Sequence, residues 1–486
     1  MASLYRRVLS FPAVLAVALM ATLLIFATKM LTSNTIINDP DIWWHLANAR
    51  TLLTTGHFIR MDTQSFTVYG KPWINFEWLA ELPYFYAYRW MGDRGLFLVM
   101  MAVAEGIVLG VYWLSWMRSR DVKAAFLASW IAVMLTTVSL GPRTLLFGWL
   151  FLVIELGVLW AYREGRDRLW VLPPMFLVWI NAHGSWFIGF VLMAVFFAAG
   201  LVGGTWGDVV STPWTPAQRK KILLVTAVSF ALLFINPYGW RLVAYPLDVA
   251  FSQSLTLKYI AEWATLDFHE ARGKIVLGTL LGLAVLNLLR RRTWQLSDLL
   301  FVLIAIYGAV TYSRFVFLAG ILIGPLLAID LRGALGGYDP KQEKPLVNAV
   351  ALAVLAGVCW LMTPSQKLLH QGVADTFPEA ALPRLAQLPA GTRLLDNFEW
   401  GGYLMWMMPD RPLFIDGRTD IFVHEGVMQD YANAREGMKV AQTLDKYRID
   451  AVLFPKQGPL AEHLLHDPAW KLSYSDTNAM LFERVR

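Results

Sequence analysis

The sequence is short of charge and nearly devoid of cysteine. Only 16% of its 486 residues are Asp, Glu, Lys or Arg, against about a quarter in an ordinary soluble domain. With 57% hydrophobic residues beside it, that deficit excludes an ordinary cytosolic enzyme and a disordered chain alike. The single Cys359 lies inside an apolar run, so neither a disulfide framework nor a cysteine-based metal site can form within one chain. Walker-type and dinucleotide-binding glycine loops are missing too, as are internal repeats of fixed period and low-complexity runs.

What the sequence does have is aromatic and apolar. Its 22 Trp, 17 Tyr and 28 Phe suit a protein with two membrane–water interfaces to decorate. A spanning helix needs about 20 mostly apolar residues, because lipid offers no partner to an open backbone group. Such runs occupy 11–31, 94–117, 122–140, 144–162, 169–182, 184–204, 222–236, 274–289, 297–312, 314–331 and 346–363, eleven in all. The run 169–182 is short and holds Pro173 and Pro174. The first run carries Lys29 and Met30 where a cleavage site would need small residues, so it reads as an uncleaved helix.

The net charge of +6 would suggest nucleic acid in a soluble protein. Here the basic residues sit between apolar runs, so they set orientation and imply no nucleic-acid partner. With the N-terminus inside, the inner segments carry Arg6 and Arg7, then Arg118, Arg120 and Lys123, then Arg163, Arg166 and Arg168. Arg219, Lys220 and Lys221 follow, then Arg290, Arg291 and Arg292, and finally Arg332, Lys341 and Lys344. The outer segments are longer in total and carry only Arg50, Arg60, Lys71, Arg89, Arg143, Arg241, Lys258, Arg272 and Arg314. The asymmetry holds only if 169–204 crosses twice, which places the C-terminus outside. The expected architecture is a polytopic α-helical membrane protein with eleven transmembrane helices in residues 1–364. A long outer loop, 32–93, holds interfacial helices, and residues 365–486 form an extracytoplasmic α/β domain.

Polar groups at membrane depth are costly and mark function by default. In this topology they gather on the outer side: Asp39, Asp41, Glu77 and Glu81 in the first loop, Arg143, Asn181 and His183 at outer turns, Asn236 after the seventh run and Arg314 at the start of the tenth. Together they imply one outward-facing polar cavity. In DPDIWWHLANARTLLTTGHF, residues 39–58, Asp39 is a suitable N-cap, Pro40 suits the first turn and Gly56 the stop. The helix between them should lie on the membrane surface with Trp43 and Trp44 in the interface. Asp41 and His45, four apart, share a face, as do Glu77 and Glu81. A carboxylate placed there can accept a proton, orient an acceptor or hold a divalent ion through Asp39, Asp41, His45 or His183. Arg143 and Arg314 suit a phosphate, since a guanidinium forks onto two oxygens. In the tail, 393–396 and 450–454 read as strands and 470–484 as a hairpin around Asp476-Thr477-Asn478. Gly401-Gly402 should form a bend that presents Trp400 and Tyr403 together, beside Asp416, Arg418 and Asp420.

An acidic pair after the first span, a long outer loop, many further spans and an outer C-terminal domain together resemble the GT-C membrane glycosyltransferases. These include protein O-mannosyltransferases, aminoarabinose transferases and oligosaccharyltransferases. Asp39-Pro40-Asp41 matches their first-loop acidic motif in place and type. Trp400-Gly401-Gly402-Tyr403 with Ile415-Asp416-Gly417 resembles the oligosaccharyltransferase WWDYG segment but departs from it, because Glu399-Trp400 and Gly401 replace its Trp-Asp; sequon recognition does not carry over. The resemblance implies sugar transfer from a polyprenyl-phosphate-linked donor to a glycan, lipid or protein acceptor, in the plasma membrane of a bacterium. Asp41, with Asp39 and Glu77, would supply the carboxylate chemistry. Arg314 or Arg143 would hold the donor phosphate, and Trp400, Tyr403, Asp416 and Arg418 would face the acceptor. Two alternatives share the spans: a transporter or flippase of lipid-linked sugar, which would more often show matching halves, and a non-catalytic polysaccharide assembly protein.

Overall fold

The computed structural model describes residues 8–32, 39–136, 140–252 and 263–485. Arg6, Arg7, Lys258 and part of the end of the run 122–140 lie outside them.

Each apolar run falls on a helix. In chain order these are α1 (Phe11–Thr32), α4 (Asp93–Ser119), α5 (Val122–Thr136), α6 (Leu145–Arg163), α7 (Leu172–Ala182) and α8 (Trp186–Ala199). Then come α9 (Pro216–Leu232), α11 (Ala271–Arg290), α12 (Leu296–Thr311), α13 (Val316–Asp330) and α14 (Pro345–Met362). Among the described residues six helices are long and apolar enough to cross a membrane: Phe11–Met30, Asp93–Ser119, Leu145–Arg163, Ala271–Arg290, Ser313–Asp330 and Pro345–Met362. Val122–Leu135, Leu169–Ala182, Trp186–Ala199 and Leu296–Thr311 are apolar but shorter. The run 184–204 ends early as a helix, at Ala199, and its last residue opens a small sheet of Gly204–Trp206, Val209–Ser211 and Trp294–Gln295.

The bundle is tightest where α13 packs on α4 and α5. Small residues permit this: Gly320 faces Ala132 and Leu135, and Gly324 faces Val111 and Ala128. Backbones approach closely there, which is how helices associate where no hydrophobic drive separates them from lipid. By contrast α14 rests on α1 alone among the stronger helix pairings and leaves Leu346, Val350, Val354, Trp360 and Leu361 exposed. Apolar side chains on that face suit a lipid surround.

The first loop contributes α2 (Asp41–Thr55) and α3 (Trp78–Met91), and α10 (Trp240–Ser252) lies in the later outer segment. The tail opens with α15 (Gln366–Thr376). It then builds a four-stranded sheet from β1 (Leu394–Asp396), β2 (Ala451–Pro455), β3 (Trp470–Ser475) and β4 (Ala479–Arg484) in the order β1-β2-β4-β3. β1 and β2 are parallel, and β4 pairs antiparallel with β2 and β3. These are the strands and hairpin that the alternation predicts. Gly401-Gly402 differs from expectation. Both glycines lie inside a helix, α16 (Phe398–Met407), and serve close approach: a Cβ on Gly402 would stand 2.8 Å from Pro40 O and 3.2 Å from Trp44 N.

Trp43 and Trp44 also differ. Neither lies in the membrane interface; both are buried, Trp43 against Phe377, Tyr403 and Tyr88, and Trp44 against His45 and Trp73. The tail covers the face of α2 that the sequence pattern assigns to lipid.

Candidate active site

The site is built on the first turn of α2. Pro40, not Asp39, occupies the cap position, and Asp39 Oδ1 accepts from the Asp41 N–H one residue further on at 3.1 Å. The helix ends on Gly56 at φ +70°, whose N–H reaches Leu52 O. Asp39 is buried and ion-paired with Arg143 from the turn before α6. Asp41 keeps partial exposure, and its Oδ1 accepts from Trp44 Nε1 at 3.0 Å. Burial and the nearby Asp39 charge push the Asp41 carboxyl up to about 7, against the pull of Arg143, His45 and the Trp44 hydrogen bond.

One turn on, His45 faces α3. Its Nδ1 lies 3.0 Å from Glu81 Oε1 and its Nε2 3.4 Å from Glu77 Oε2. Burial opposes a charged imidazole, yet the two carboxylates hold its pKa above the ordinary value. Glu77 Oε1 meets His183 Nε2 at 3.1 Å. The Ser185 N–H donates to His183 Nδ1 at 2.9 Å, so the His183 proton belongs on Nε2, donated to Glu77. Burial depresses the His183 pKa despite Glu77, in keeping with that neutral tautomer. Although burial opposes ionisation, bonds from His183 and charge from His45 hold the Glu77 carboxyl below its usual range. The result is a continuous chain, Glu81–His45–Glu77–His183, that ties α2 and α3 to the α7–α8 turn.

Arg314, just before α13, completes the group. It lies within electrostatic reach of Arg143, Glu77, Asp41 and His183, with its guanidinium over the Trp263 ring at 5.2 Å. Among the described residues no side-chain or backbone oxygen accepts a hydrogen bond from it.

Asp39, Asp41, His45, Glu77, Arg143, His183 and Arg314 are thus brought together from five chain segments. They form a filled polar cluster more than an open cavity: Asp39, His45, Glu77 and His183 are buried, while Asp41, Arg143 and Arg314 keep partial exposure. A cleft of about 730 Å³ lies elsewhere, between Phe66 and residues 382–412. Asn181 and Asn236 serve the scaffold. Asn181 bonds Trp78 Nε1, Leu177 O and Ile235 O, and Asn236 bonds Leu233 O, Gly239 O and the Tyr238 N–H. The tail residues are not at the cluster surface either. Trp400 bonds Thr376 O, and Tyr403 stacks on Phe377. Arg418 is buried in a fork with Asp416 (2.8 and 2.6 Å) and an ion pair with Asp62 (2.7 Å).

The sequence reading counts Glu81 among the outer polar groups without giving it a role, and leaves out Thr144 and Trp44 as site members. Thr144 hydrogen-bonds Glu77. Glu81 is legible from its spacing to Glu77; Thr144 and Trp44 carry no signal. Among the described residues no group of three or more His, Cys, Asp or Glu side chains is arranged to hold a metal ion. Asp39 is taken by Arg143, and His183 by Glu77 and Ser185, so these donors do not fit a resident cation.

No protein-family model matches the chain, and no curated protein matches it in sequence. Solved structures do match. The Archaeoglobus fulgidus oligosaccharyltransferase in the apo form has a TM-score of 0.54 at 13% identity, over 97% of this chain and 74% of that one. The archaeal oligosaccharyltransferase AglB from Archaeoglobus fulgidus, in complex with an inhibitory peptide and a dolichol-phosphate, gives 0.55 at 13% identity, over 96% and 74%. ArnT from Cupriavidus metallidurans in the apo state gives 0.52 at 14% identity, over 97% and 98%. The chain has the GT-C fold. It is a polytopic helical membrane protein. In this GT-C frame the cluster sits where the first loop, the α5–α6 and α7–α8 turns and the start of α13 meet.

Proposed function

We propose that the protein is a GT-C glycosyltransferase that moves a sugar from a polyprenyl-phosphate-linked donor to an acceptor at the outer face of a bacterial plasma membrane. The bundle crosses eleven times within residues 1–364, with the N-terminus cytoplasmic and residues 365–486 outside. The Lys and Arg bias of the inner segments supports that orientation. The observation that carries the reading is the meeting of Asp41, poised near neutrality, with Arg314 in one cluster on this fold.

The reaction is a single displacement. Asp41 removes the proton from an acceptor hydroxyl or amine, and the acceptor atom bonds to the anomeric carbon. The bond from that carbon to the phosphate oxygen breaks, and its electron pair leaves on the polyprenyl phosphate. Arg314 binds that phosphate and balances the growing charge. Arg143, already paired with Asp39, adds its positive charge to the same region. General-base action contributes about 10²–10⁴-fold, so positioning and charge stabilisation supply the rest. Glu77 and His183 hold the frame that keeps Asp41 and Arg314 within electrostatic reach of each other.

The test is release of polyprenyl phosphate by the purified protein in lipid, given a polyprenyl-phosphate-linked sugar and candidate acceptors. Release that depends on Asp41 supports the reading. Movement of labelled lipid across vesicles without any release overturns it in favour of a transporter.

A further inference from the structure

We propose that Gly417 is a positioning residue through which the tail sets Asp41 and Trp44. The inference rests on Asp41 as the working carboxylate and concerns what holds it in place. A Cβ on Gly417 would fall well inside contact distance of Asp41 Oδ1, and would stand 2.7 Å from Trp44 Nε1 and 2.9 Å from Trp44 Cδ1. Its φ lies outside the left-handed region, so room beside Asp41, and not backbone conformation, demands glycine there.

The turn that carries Gly417 is itself fixed to the first loop. The Leu413 N–H donates to Gln64 O at 2.9 Å, and the Phe66 N–H to Leu413 O at 3.0 Å. Thr67 Oγ1 donates to Phe414 O at 2.6 Å. On the two sides of Gly417, Asp416 and Arg418 are locked to each other and to Asp62 and Ser65. A second touch comes from Gly402 against Pro40 O. The tail backbone therefore presses on the first turn of α2 at two points, leaving Asp41 Oδ1 between the Trp44 indole N–H and Gly417. A carboxylate so confined has one orientation, and orientation is where much of an enzyme's acceleration lies.

Gly417→Ala in the full-length protein in lipid tests this. Gly426→Ala is the control: its φ is +75° and nothing lies within 4 Å of its Cβ, so it strains the tail without touching α2. The first readout needs no substrate: the rate of carbodiimide modification of Asp41 against pH, by peptide mass spectrometry. The charged groups around Asp41 are Asp39, His45, Arg143 and Arg314, and all remain in both variants. The second readout is kcat and KM with a polyprenyl-phosphate-linked sugar.

In Gly417→Ala the Trp44 hydrogen bond that favours the carboxylate is lost, so the Asp41 midpoint moves to higher pH. There kcat falls about a hundredfold, with donor KM unchanged. Gly426→Ala lowers the Tm and moves neither the midpoint nor kcat. Thr67→Val, which removes only the hydroxyl that holds Phe414 O, gives a smaller shift in the same direction and serves if Gly417→Ala does not fold. A wild-type midpoint in the folded variants overturns the proposal. A shifted midpoint in a protein whose wild type transfers no sugar leaves the positioning role standing and removes the transferase reading.

Discussion

Two charged clusters lie a few residues apart where the first loop meets the tail, and they are built on opposite principles. In the first, every guanidinium nitrogen of Arg418 faces a carboxylate or a hydroxyl: Nε and Nη2 on Asp416, Nη1 on Asp62, Nη2 also on Ser65. Burial alone would lower the Arg418 pKa, yet the two carboxylates raise it above the ordinary value. In the second, Asp41 is shifted against ionisation, and Arg314 has no hydrogen-bonding acceptor among the described residues. A half-buried charge without a hydrogen-bonding partner is still costly, so a fold keeps one only where something else stands to be gained. The saturated cluster can hold two segments together and little else. The unsaturated one keeps guanidinium donors and a partly exposed carboxylate, the groups that the proposed transfer would use.

The comparison breaks most sharply at Asp41. Asp41→Asn should cut sugar transfer by about 10²–10⁴-fold, the span of general-base catalysis, while the protein stays folded. Release of polyprenyl phosphate measures the first and circular dichroism the second. Full activity in this variant removes the proposed base and, with it, the contrast. Arg418→Met should do the reverse in kind. Removing the cation leaves Asp62 and Asp416 buried without compensation, a loss of about 3–5 kcal/mol, read as a lower denaturation midpoint. Wild-type stability there means that the clamp holds nothing.

Arg314 gives a smaller effect that separates charge from geometry. Arg314→Ala should lose about 1.5–3 kcal/mol of donor recognition, the value of hydrogen bonds to a charged group, seen as a fall in kcat/KM for the donor. Arg314→Lys keeps the charge without the fork and should lie between Ala and wild type. Equal kinetics for all three would place the donor phosphate elsewhere.

How far the sequence foretells these clusters follows from what each depends on. Apolar length is a local property, so each apolar run is legible as a helix, including the short 169–182 with its paired prolines. Helical spacing is local too: Asp41 with His45, and Glu77 with Glu81, lie on the faces that the i, i+4 rule assigns, and those faces turn out to meet. The strands at 393–396 and 450–454 and the 470–484 hairpin are visible in their alternation. What escapes reading is contact between distant segments. Trp43 and Trp44 look like interfacial anchors until the tail is seen to cover them. Asp416 and Arg418 look like a binding loop until Asp62 is seen to take the remaining guanidinium nitrogen of Arg418. Gly401-Gly402 reads as a bend, because nothing local says that α2 lies against it. In each case the missing fact is the partner, and a single sequence does not state partners.

The mildest prediction concerns stability and the sign of its pH dependence. Folding raises the Asp41 pKa from 3.8 to about 7. A group raised in this way favours the folded state while it is protonated, and that favour is lost as pH climbs through the folded value. Wild-type protein should therefore lose stability between about pH 4 and pH 7, on top of every other group's contribution, whereas the amide that Asp41→Asn introduces cannot ionise. The difference in Tm, variant minus wild type, should be near its smallest at acid pH, grow through neutrality and then level off. Because Asp41 is partly exposed, solvent reduces the size of the effect without changing its direction. Over the same interval kcat/KM of the wild type should rise as the base deprotonates. A Tm difference that stays constant across that interval would mean that Asp41 ionises at its ordinary value in the folded protein. The second cluster would then be as saturated as the first, and the leftover capacity that sets it apart would have to reside in Arg314 alone.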